Sequence, residues 1–259
     1  MENEVPRISP VNISTPAFRL DAPLALAEHE VQLWRLDLEA LAAAEERWQQ
    51  LLSADERTRA ARFLVSRARQ QFVVTRALLR ILLAGYLSAD PHALIFCHSG
   101  KNKPRLGPPF ADSGILFNVA HSAEVALLAF CRRREVGVDV EQVNRDLNVE
   151  AIARRFFSPR EQEQLAELHP EDKFHGFFRC WTRKEAYIKA KGEGLWLPLN
   201  QFDVSLADGS ENALLATRPD SSEAAQWSLR EVAAGAGYVA ALCVAGHGFR
   251  VRGWDEDKS

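Results

Sequence analysis

The chain has 259 residues, a length typical of one large domain or of two domains of about 130 residues each. Hydrophobic residues make up 47% and charged residues 26%, which is the mix of a globular protein with a sizeable core. The formal net charge is −3, so no overall basic field indicates binding to nucleic acid or to a membrane.

The cysteines and the apolar runs bear on cellular location. The four cysteines are Cys97, Cys131, Cys180 and Cys243. They form no C-x-x-C pair, so zinc binding is unsupported and reduced, buried thiols are expected. No apolar run approaches the ~18–20 residues of a membrane helix, and the acidic N-terminus is unlike a secretory signal. We therefore expect a cytoplasmic protein.

The N-terminal part of the chain begins with an arm and continues into a strand and helices. Four prolines and little periodicity predict an irregular arm over residues 1–28. Alternating apolar and polar residues predict a strand over 31–38, and helical spacing predicts a helix over 39–52. Ser53 is typical of an N-cap and precedes a predicted helical stretch over 56–87.

This helical stretch is strongly cationic. Between Ala54 and Arg80 there are seven arginines and two acidic residues, Asp55 and Glu56. The run is compatible with a phosphate or nucleotide site, with a nucleic-acid-binding face, or with a solvated basic surface. The arginines are Arg57, Arg59, Arg62, Arg67, Arg69, Arg76 and Arg80.

The rest of the chain alternates turns, strands and helices. Residues 98–114 are rich in glycine and proline and predict turns. Strands are predicted over 115–119 and 125–130, and another begins at Val136. The remaining predictions are helices near 149–155, 159–168 and 171–191, strands over 202–206, 226–232 and 237–244, and a hairpin turn at Asp208-Gly209.

Two carboxylates occur at alternate positions in Gly137-Val-Asp139-Val-Glu141. On a strand these two side chains point to the same face, where like charges repel and burial adds to the cost. A hard divalent cation such as Mg²⁺ relieves that repulsion. The alternative is an ordinary surface strand with an acidic face.

Glu185 and Lys189 are spaced as neighbours on a helix. The pair offers a third carboxylate to a metal and an ammonium to a phosphate or leaving group. The alternative is a routine surface salt bridge. The same helix is predicted to bury Trp181 and Ile188, with Ala186 at the margin.

His121 and Lys103 are candidates for phosphate contacts. His121 stands beside Ser122 at a strand end, and Lys103 lies in a turn before Pro104. The alternatives are a loop histidine bonded to the backbone and a solvated turn.

These motifs occur together in a recognisable order. They are Phe117-Asn118-x-x-His121-Ser122, Gly137-x-Asp139-x-Glu141 and Trp181-x-x-Lys184-Glu185-Ala186-x-x-Lys189-x-x-Gly192-x-Gly194-Leu195. With Arg155-Phe-Phe-Ser158 between the last two, the combination resembles the 4′-phosphopantetheinyl transferase superfamily, in its two-domain, Sfp-type branch. The resemblance spans about residues 31–245.

The resemblance implies an α+β fold of two similar α/β subdomains related by a pseudo-twofold axis. Each would be a small antiparallel sheet packed with helices, with the active site in the cleft between them. The expected division is an irregular arm over 1–28, an N-terminal subdomain over 29–134 and a C-terminal subdomain over 135–259.

The resemblance also implies an activity and its ligands. The family transfers the 4′-phosphopantetheine group of coenzyme A to a serine of an apo acyl or peptidyl carrier protein and releases 3′,5′-ADP. The reaction is expected to need Mg²⁺, with Mn²⁺ as a substitute. The expected partners are therefore carrier proteins and coenzyme A, with no nucleic acid and no membrane, and a monomer is expected because the two subdomains already form the cleft.

Residue roles follow from the same resemblance. Asp139, Glu141 and Glu185 would hold the metal, and Glu185 would also deprotonate the carrier serine, directly or through water. Lys189 would neutralise charge on the transferred phosphate and on the departing nucleotide. The residues expected to contact coenzyme A are Arg59, Arg62, Lys103, His121 and Lys189.

The sequence departs from the family pattern at two positions. Ala120 stands where many members carry serine, so one phosphate hydrogen bond is missing there. Glu56 stands where some members carry a basic residue, which leaves Arg57 and Arg69 as further candidates for the 3′-phosphate. Two other readings stay open: another metal-dependent phosphate-transferring enzyme, and a nucleic-acid-binding module that uses the arginines.

Overall fold

The computed structural model of the chain describes residues 11–15, 17–20, 22–98, 103–192, 197–210 and 212–252. Several sequence predictions lie outside these residues. They concern residues 1–10 of the arm, Gly100, Lys101 and Asn102 of the turn, and Gly194 and Leu195 of the third motif.

Seven α-helices occur in the described residues. They are α1 (Leu38–Ala42), α2 (Glu45–Gln50), α3 (Ala54–Ala61), α4 (Ser66–Leu87), α5 (Val149–Phe156), α6 (Pro159–Glu167) and α7 (Lys173–Lys191). The predicted N-cap is confirmed, because the Ser53 hydroxyl accepts from the Glu56 N–H while the Glu56 carboxylate accepts from the Ser53 N–H.

The two helical predictions in the N-terminal part each break into two pieces. Between α1 and α2 the indole of Trp48 donates to the Leu41 carbonyl at 2.7 Å, so the chain turns there and buries both side chains. Between α3 and α4 the Phe63 ring folds back onto the Phe72 ring, with centroids 5.4 Å apart. A single continuous helix would place neither pair in contact.

The strands form two main sheets and two short ribbons. They are β1 (Val11–Ile13), β2 (Glu30–Asp37), β3 (Phe96–His98), β4 (Pro104–Leu106), β5 (Ile115–Ser122), β6 (Val125–Arg132), β7 (Val136–Gln142), β8 (Phe202–Val204), β9 (Leu214–Thr217), β10 (Trp227–Val232), β11 (Tyr238–Ala245) and β12 (Arg250–Arg252). The first sheet has the order β1-β2-β6-β5, and the second has the order β10-β11-β7. β3 pairs with β4, and β8 pairs with β9.

The first sheet draws strands from both ends of the described chain. Within it β2, β6 and β5 are antiparallel, whereas β1 and β12 both run parallel to β2. β1 lies inside the segment predicted to be an irregular arm, and it buries Ile13. β12 lies in the range predicted as the C-terminal subdomain, yet it pairs with the N-terminal sheet.

The structure has four layers in the order helix, sheet, sheet, helix. This is an α+β fold with small, mainly antiparallel sheets. Inner-face residues of the two sheets pack on one another, Leu33 and Leu127 from the first sheet against Val138 and Leu242 from the second. The outer face of the first sheet packs on α1 to α4, and that of the second packs on α5 to α7. Because successive strand residues point to opposite faces, each sheet contributes apolar side chains to two cores.

Gly137 lets α7 lie directly on β7. A Cβ at this position would stand 2.1 Å from the Ala186 carbonyl oxygen and 2.3 Å from the Ala190 nitrogen, and both are backbone atoms of α7. Only glycine permits such a close approach between a helix and a strand. The contact fixes the spacing between the acidic face of β7 and the motif residues on α7.

Two burial predictions need correction. Cys97 is exposed because it lies on the short ribbon strand β3, whereas Cys131, Cys180 and Cys243 are buried thiols as expected. Trp181 is only half-buried, while Ala186 and Ile188 are fully buried. No helix of the described residues is both long enough and apolar enough to cross a bilayer.

Candidate active site

The two carboxylates of β7 lie on the face that meets α7. Gly137 contacts the backbone of α7, and strand alternation puts Asp139 and Glu141 on the same face. Val138 and Val140 point the other way, into the core between the sheets. The prediction of a shared acidic face backed by a valine core is confirmed.

Asp139 is almost fully enclosed and holds one cation. Its side chain pairs with Lys189 of α7, whose Nζ lies 2.5 Å from Oδ1. Its second oxygen, Oδ2, is buried and has no hydrogen-bond partner among the described residues. Burial raises the pKa of Asp139 even though the Lys189 ammonium favours the charged carboxylate.

Glu185 lies one helical turn before Lys189 and shares the field of the β7 carboxylates. Burial first, and then the negative charge of Asp139, raises the pKa of Glu185 to about 7, with Glu141 adding to the shift and Lys189 opposing it. The pKa of Lys189 is also raised, because the attraction of Asp139 outweighs the effect of burial. These four charged side chains therefore act on one another across β7 and α7.

The end of β5 completes the cluster from the first sheet. The Ser122 hydroxyl donates to Glu141 Oε2 at 2.8 Å, and the same hydroxyl accepts from the Gln142 N–H at 3.1 Å. Further along the seam, the Asn118 side chain accepts from the Val138 N–H at 2.9 Å. Two polar side chains of β5 thus bond the edge strands of the two sheets together beside the acidic face.

His121 stands at the edge of this cluster. Desolvation by surrounding atoms and then the Lys189 ammonium lower the pKa of His121, although the residue is exposed by its accessible surface. The imidazole therefore lies within the field of Lys189, and a neutral ring keeps one N–H that can donate to a phosphate oxygen.

The acidic cluster has no preformed metal cage. Among the described residues, no three His, Cys, Asp or Glu side chains converge closely enough to hold a metal ion. In this structure the cation beside Asp139 is the Lys189 ammonium.

Comparisons with known proteins agree with these motifs. A family model described as "4'-phosphopantetheinyl transferase superfamily" matches residues 135–243, and one described as "4'-phosphopantetheinyl transferase, N-terminal" matches residues 40–133. The 4'-phosphopantetheinyl transferase HetI of Nostoc sp. is 40% identical to this chain over 89% of the chain and 94% of its own length. The chain belongs to the 4′-phosphopantetheinyl transferase superfamily.

Two further similarities extend over smaller parts of the chain. The 4'-phosphopantetheinyl transferase Sfp of Bacillus subtilis is 30% identical over 77% of this chain and 85% of its own length. The match to the crystal structure of Thermotoga maritima holo-[acyl-carrier-protein] synthase covers 45% of this chain and 64% of that protein's chain, with 22% identity and a TM-score of 0.34. The conclusion on the superfamily rests on the sequence matches alone.

In this phosphopantetheinyl transferase, Lys103 connects two parts of the fold. Its Nζ donates to Glu135 at 2.8 Å, to the Val136 carbonyl at 2.9 Å and to the Ala190 carbonyl at 3.0 Å. These bonds hold the end of α7 to the start of β7, and they use the three N–H donors of an ammonium. In this structure Lys103 therefore holds β7 and α7 together. To contact coenzyme A as predicted, its ammonium would have to break at least one of these bonds.

Arg59 and Arg62 are both exposed at the C-terminal end of α3. The Arg59 guanidinium lies over the Phe72 ring, 5.2 Å from its centroid. Within the described part of the chain, the Arg62 side chain forms no ion pair or hydrogen bond. Both cations are therefore accessible to an anionic ligand.

Glu56 explains why the arginine run is not one basic surface. Its carboxylate pairs with Arg80 at 2.7 Å and with Arg76 at 3.6 Å, and the Arg80 side chain is buried. Arg69 pairs with Glu45 at 3.2 Å, and Arg57 donates to the Leu52 carbonyl. Several of the seven arginines thus hold the N-terminal helices together, which weakens the nucleic-acid interpretation.

Lys184, which neighbours Glu185 in the third motif, is fully buried and has a structural role that no sequence pattern indicated. Its Nζ lies 2.7 Å from Glu161 Oε2 and donates to the carbonyls of Leu199 and Phe202, also at 2.7 Å. Glu161 in turn accepts from two backbone N–H groups, those of Ser158 and Val204. The capping pattern Ser158-x-x-Glu161 is a sequence signal for the bond from the Ser158 N–H to Glu161, whereas no local pattern indicates the pairing with Lys184.

Proposed function

We propose that this enzyme transfers the 4′-phosphopantetheine group of coenzyme A to a serine hydroxyl of an apo acyl or peptidyl carrier protein. The products are the holo carrier protein and 3′,5′-ADP. The observation that carries the proposal is the buried cluster of Asp139, Glu185 and Lys189, in which one carboxylate oxygen has no partner and one carboxyl has a pKa of about 7.

The chemistry of the donor set fits a hard divalent cation, although its three side chains would have to move closer together to share the ion. Asp139, Glu141 and Glu185 supply only carboxylate oxygens, which Mg²⁺ prefers, with Mn²⁺ as a substitute. The buried, unpartnered Oδ2 of Asp139 is the atom of this set best suited to act as a ligand. Bound there, the cation would neutralise negative charge on the diphosphate of coenzyme A.

Glu185 suits the role of general base. A carboxylate with a pKa near 7 is charged in part of the population at neutral pH and still accepts a proton readily. In the transfer, the serine oxygen forms a bond to the phosphorus that carries pantetheine, and the bond from this phosphorus to the 3′,5′-ADP oxygen breaks. The serine proton passes to Glu185, directly or through water.

Cations and a histidine of the same chain would bind the anionic groups. Lys189 keeps its charge because its pKa is raised, so its ammonium can stabilise the leaving diphosphate oxygen. His121 would contact phosphate from the edge of the cluster. Arg59 and Arg62 are accessible for the 3′-phosphate, and Lys103 would contact coenzyme A only if it exchanged its present bonds.

The composition of the site bears on the oligomeric state of the enzyme. Both sheets that border the cluster come from one chain, since Ser122 of β5 contacts Glu141 of β7. We therefore propose a monomer, located in the cytoplasm, that acts on carrier proteins rather than on nucleic acid.

A mass measurement tests the proposal. Apo acyl carrier protein and an apo peptidyl carrier domain are each incubated with enzyme and coenzyme A, with Mg²⁺ and with excess chelator. The expected result is the phosphopantetheine mass increase on the carrier serine with Mg²⁺ and none with chelator. Absence of the mass increase on every carrier would refute the transfer, and its persistence in chelator would refute the metal.

A further inference from the structure

An exposed apolar tip joins α3 to α4. Leu64 is fully exposed, with a relative accessibility of 101%, and the adjacent Val65 is 63% exposed. Phe63, the residue before them, is half-buried against Phe72. Single exposed apolar residues are ordinary on a protein surface, but two adjacent ones at the tip of an interhelical loop form a small projecting surface.

The needs of the fold do not explain this tip. Val65 is the N-cap residue of the 22-residue helix α4, and its side chain makes no capping hydrogen bond. Serine, threonine, aspartate or asparagine would stabilise the helix at that position, whereas valine does not. Ser53, at the start of α3, shows that this chain does use a full capping box nearby. Val65 is thus a residue that does not stabilise the helix it precedes, and such exceptions are typical of functional surfaces.

The surroundings of the tip are positively charged. Residues 57–67 contain Arg57, Arg59, Arg62 and Arg67 and no acidic residue, although the whole chain has a net charge of −3. Of these four, only Arg67 has an acidic partner among the described residues, namely Glu124. An apolar tip within a basic segment is complementary to an acidic protein surface that offers an apolar depression.

Direct contacts lead from the tip to the acidic cluster. Arg67 lies one turn after the tip and pairs with Glu124 in the turn between β5 and β6. Gln71, the next turn of α4, donates to the Ala123 carbonyl at 2.6 Å. Ser122, which immediately precedes this turn, donates to Glu141 at 2.8 Å. A protein seated on the tip would therefore lie beside the end of β5 and the acidic face of β7.

We propose that Leu64 and Val65, with Arg57 and Arg67 of the same basic segment, form a docking surface for the apo carrier protein, which seats an acidic face around the tip. This proposal rests on the proposed function and specifies where that substrate binds. An anionic membrane is the other surface with complementary chemistry. A protein is favoured because the tip exposes two apolar residues and lies beside the end of β5, where the carrier serine must arrive.

Binding and kinetics with matched variants test the docking surface. Fluorescently labelled apo acyl carrier protein is titrated with wild type, Leu64→Glu, Val65→Glu and the control Leu215→Glu, without coenzyme A. Leu215 is an exposed leucine on β9 in the other half of the molecule. Leu64→Glu is expected to raise the Kd at least about tenfold, because it removes apolar contact and adds a repelled charge. The control is expected to bind as wild type does, and wild-type binding is expected to weaken with added salt.

Kinetics and vesicles separate the remaining outcomes. In the transfer assay, Leu64→Glu is expected to raise KM for the carrier by a similar factor and to leave the melting temperature unchanged. Wild-type Kd and carrier KM in both tip variants would overturn the docking surface while leaving the transferase proposal intact. Loss of binding to phosphatidylglycerol vesicles, with carrier binding unchanged, would overturn it in favour of a membrane contact. An enzyme that binds the carrier through the tip but transfers nothing would refute the transferase proposal alone.

Discussion

The acidic face of β7 is largely buried, whereas the arginines at the end of α3 are exposed to solvent. Asp139 is 4% exposed, and its partner Lys189 is delivered by a helix that lies on Gly137. Arg59 and Arg62 are exposed at the end of α3. Burial holds the first group in one geometry and moves its pKa values, whereas solvent leaves the second group adaptable. This contrast suggests that chemistry depends on the first region and recognition on the second.

The largest expected effect comes from Asp139→Asn. The substitution keeps the shape of the side chain but removes the charge that holds Lys189 and would ligate the metal. We expect a loss of transfer of at least about a thousandfold, measured by the rate of the carrier mass increase. The matched control is Asp203→Asn, a buried carboxylate paired with Arg218 away from the cluster. A loss of similar size in the control would show that the effect is general destabilisation.

Lys184→Met tests how far the site depends on buried support. Removing the lysine leaves the buried Glu161 carboxyl without its ammonium partner. We expect a loss of about 3–5 kcal/mol in the free energy of unfolding, the usual result of breaking a buried pair, measured by urea denaturation. The double variant Lys184→Met with Glu161→Gln should recover part of this loss, and a double variant as unstable as the single one would contradict the pair.

Arg62→Ala tests the exposed region. If Arg62 contacts the 3′-phosphate, KM for coenzyme A should rise about tenfold, since a charged hydrogen bond contributes roughly 1.5–3 kcal/mol. KM for dephospho-coenzyme A, which lacks this phosphate, should not change. The melting temperature should also stay the same because the side chain is exposed. An equal rise in KM for both substrates would place Arg62 elsewhere in recognition.

Ser122→Ala is expected to have the smallest effect. It removes a hydrogen bond of 2.8 Å to Glu141 and one of 3.1 Å from the Gln142 N–H. A hydrogen bond contributes about 0.5–1.5 kcal/mol when both partners are neutral, and about 1.5–3 kcal/mol when the acceptor is a charged carboxylate. We expect a transfer rate within about tenfold of wild type, with an increased Mg²⁺ concentration for half-maximal activity because Glu141 loses an orienting partner. An unchanged Mg²⁺ dependence would show that Ser122 supports only the seam between the sheets.

The sequence by itself determined the long strands, most of the helical segments and most of the acidic site. Alternation in β7 put Asp139 and Glu141 on one face, because successive strand residues point to opposite sides. The helical spacing put Glu185 and Lys189 one turn apart. Both are local relations between residues close in the chain, so periodicity is sufficient to find them.

Only the tertiary structure decided which charges serve support and which remain accessible. Lys103 and Lys184 bond to carbonyls and acids that lie 15 or more residues away in the chain, so no local pattern assigns their partners. The same holds for Glu56, which is joined to Arg80 across a loop, and for β12, which joins the sheet of the opposite half. The role of a charged side chain or of a strand depends on the groups that folding brings next to it. Because those groups are distant in the chain, the neighbouring residues in the sequence do not identify them.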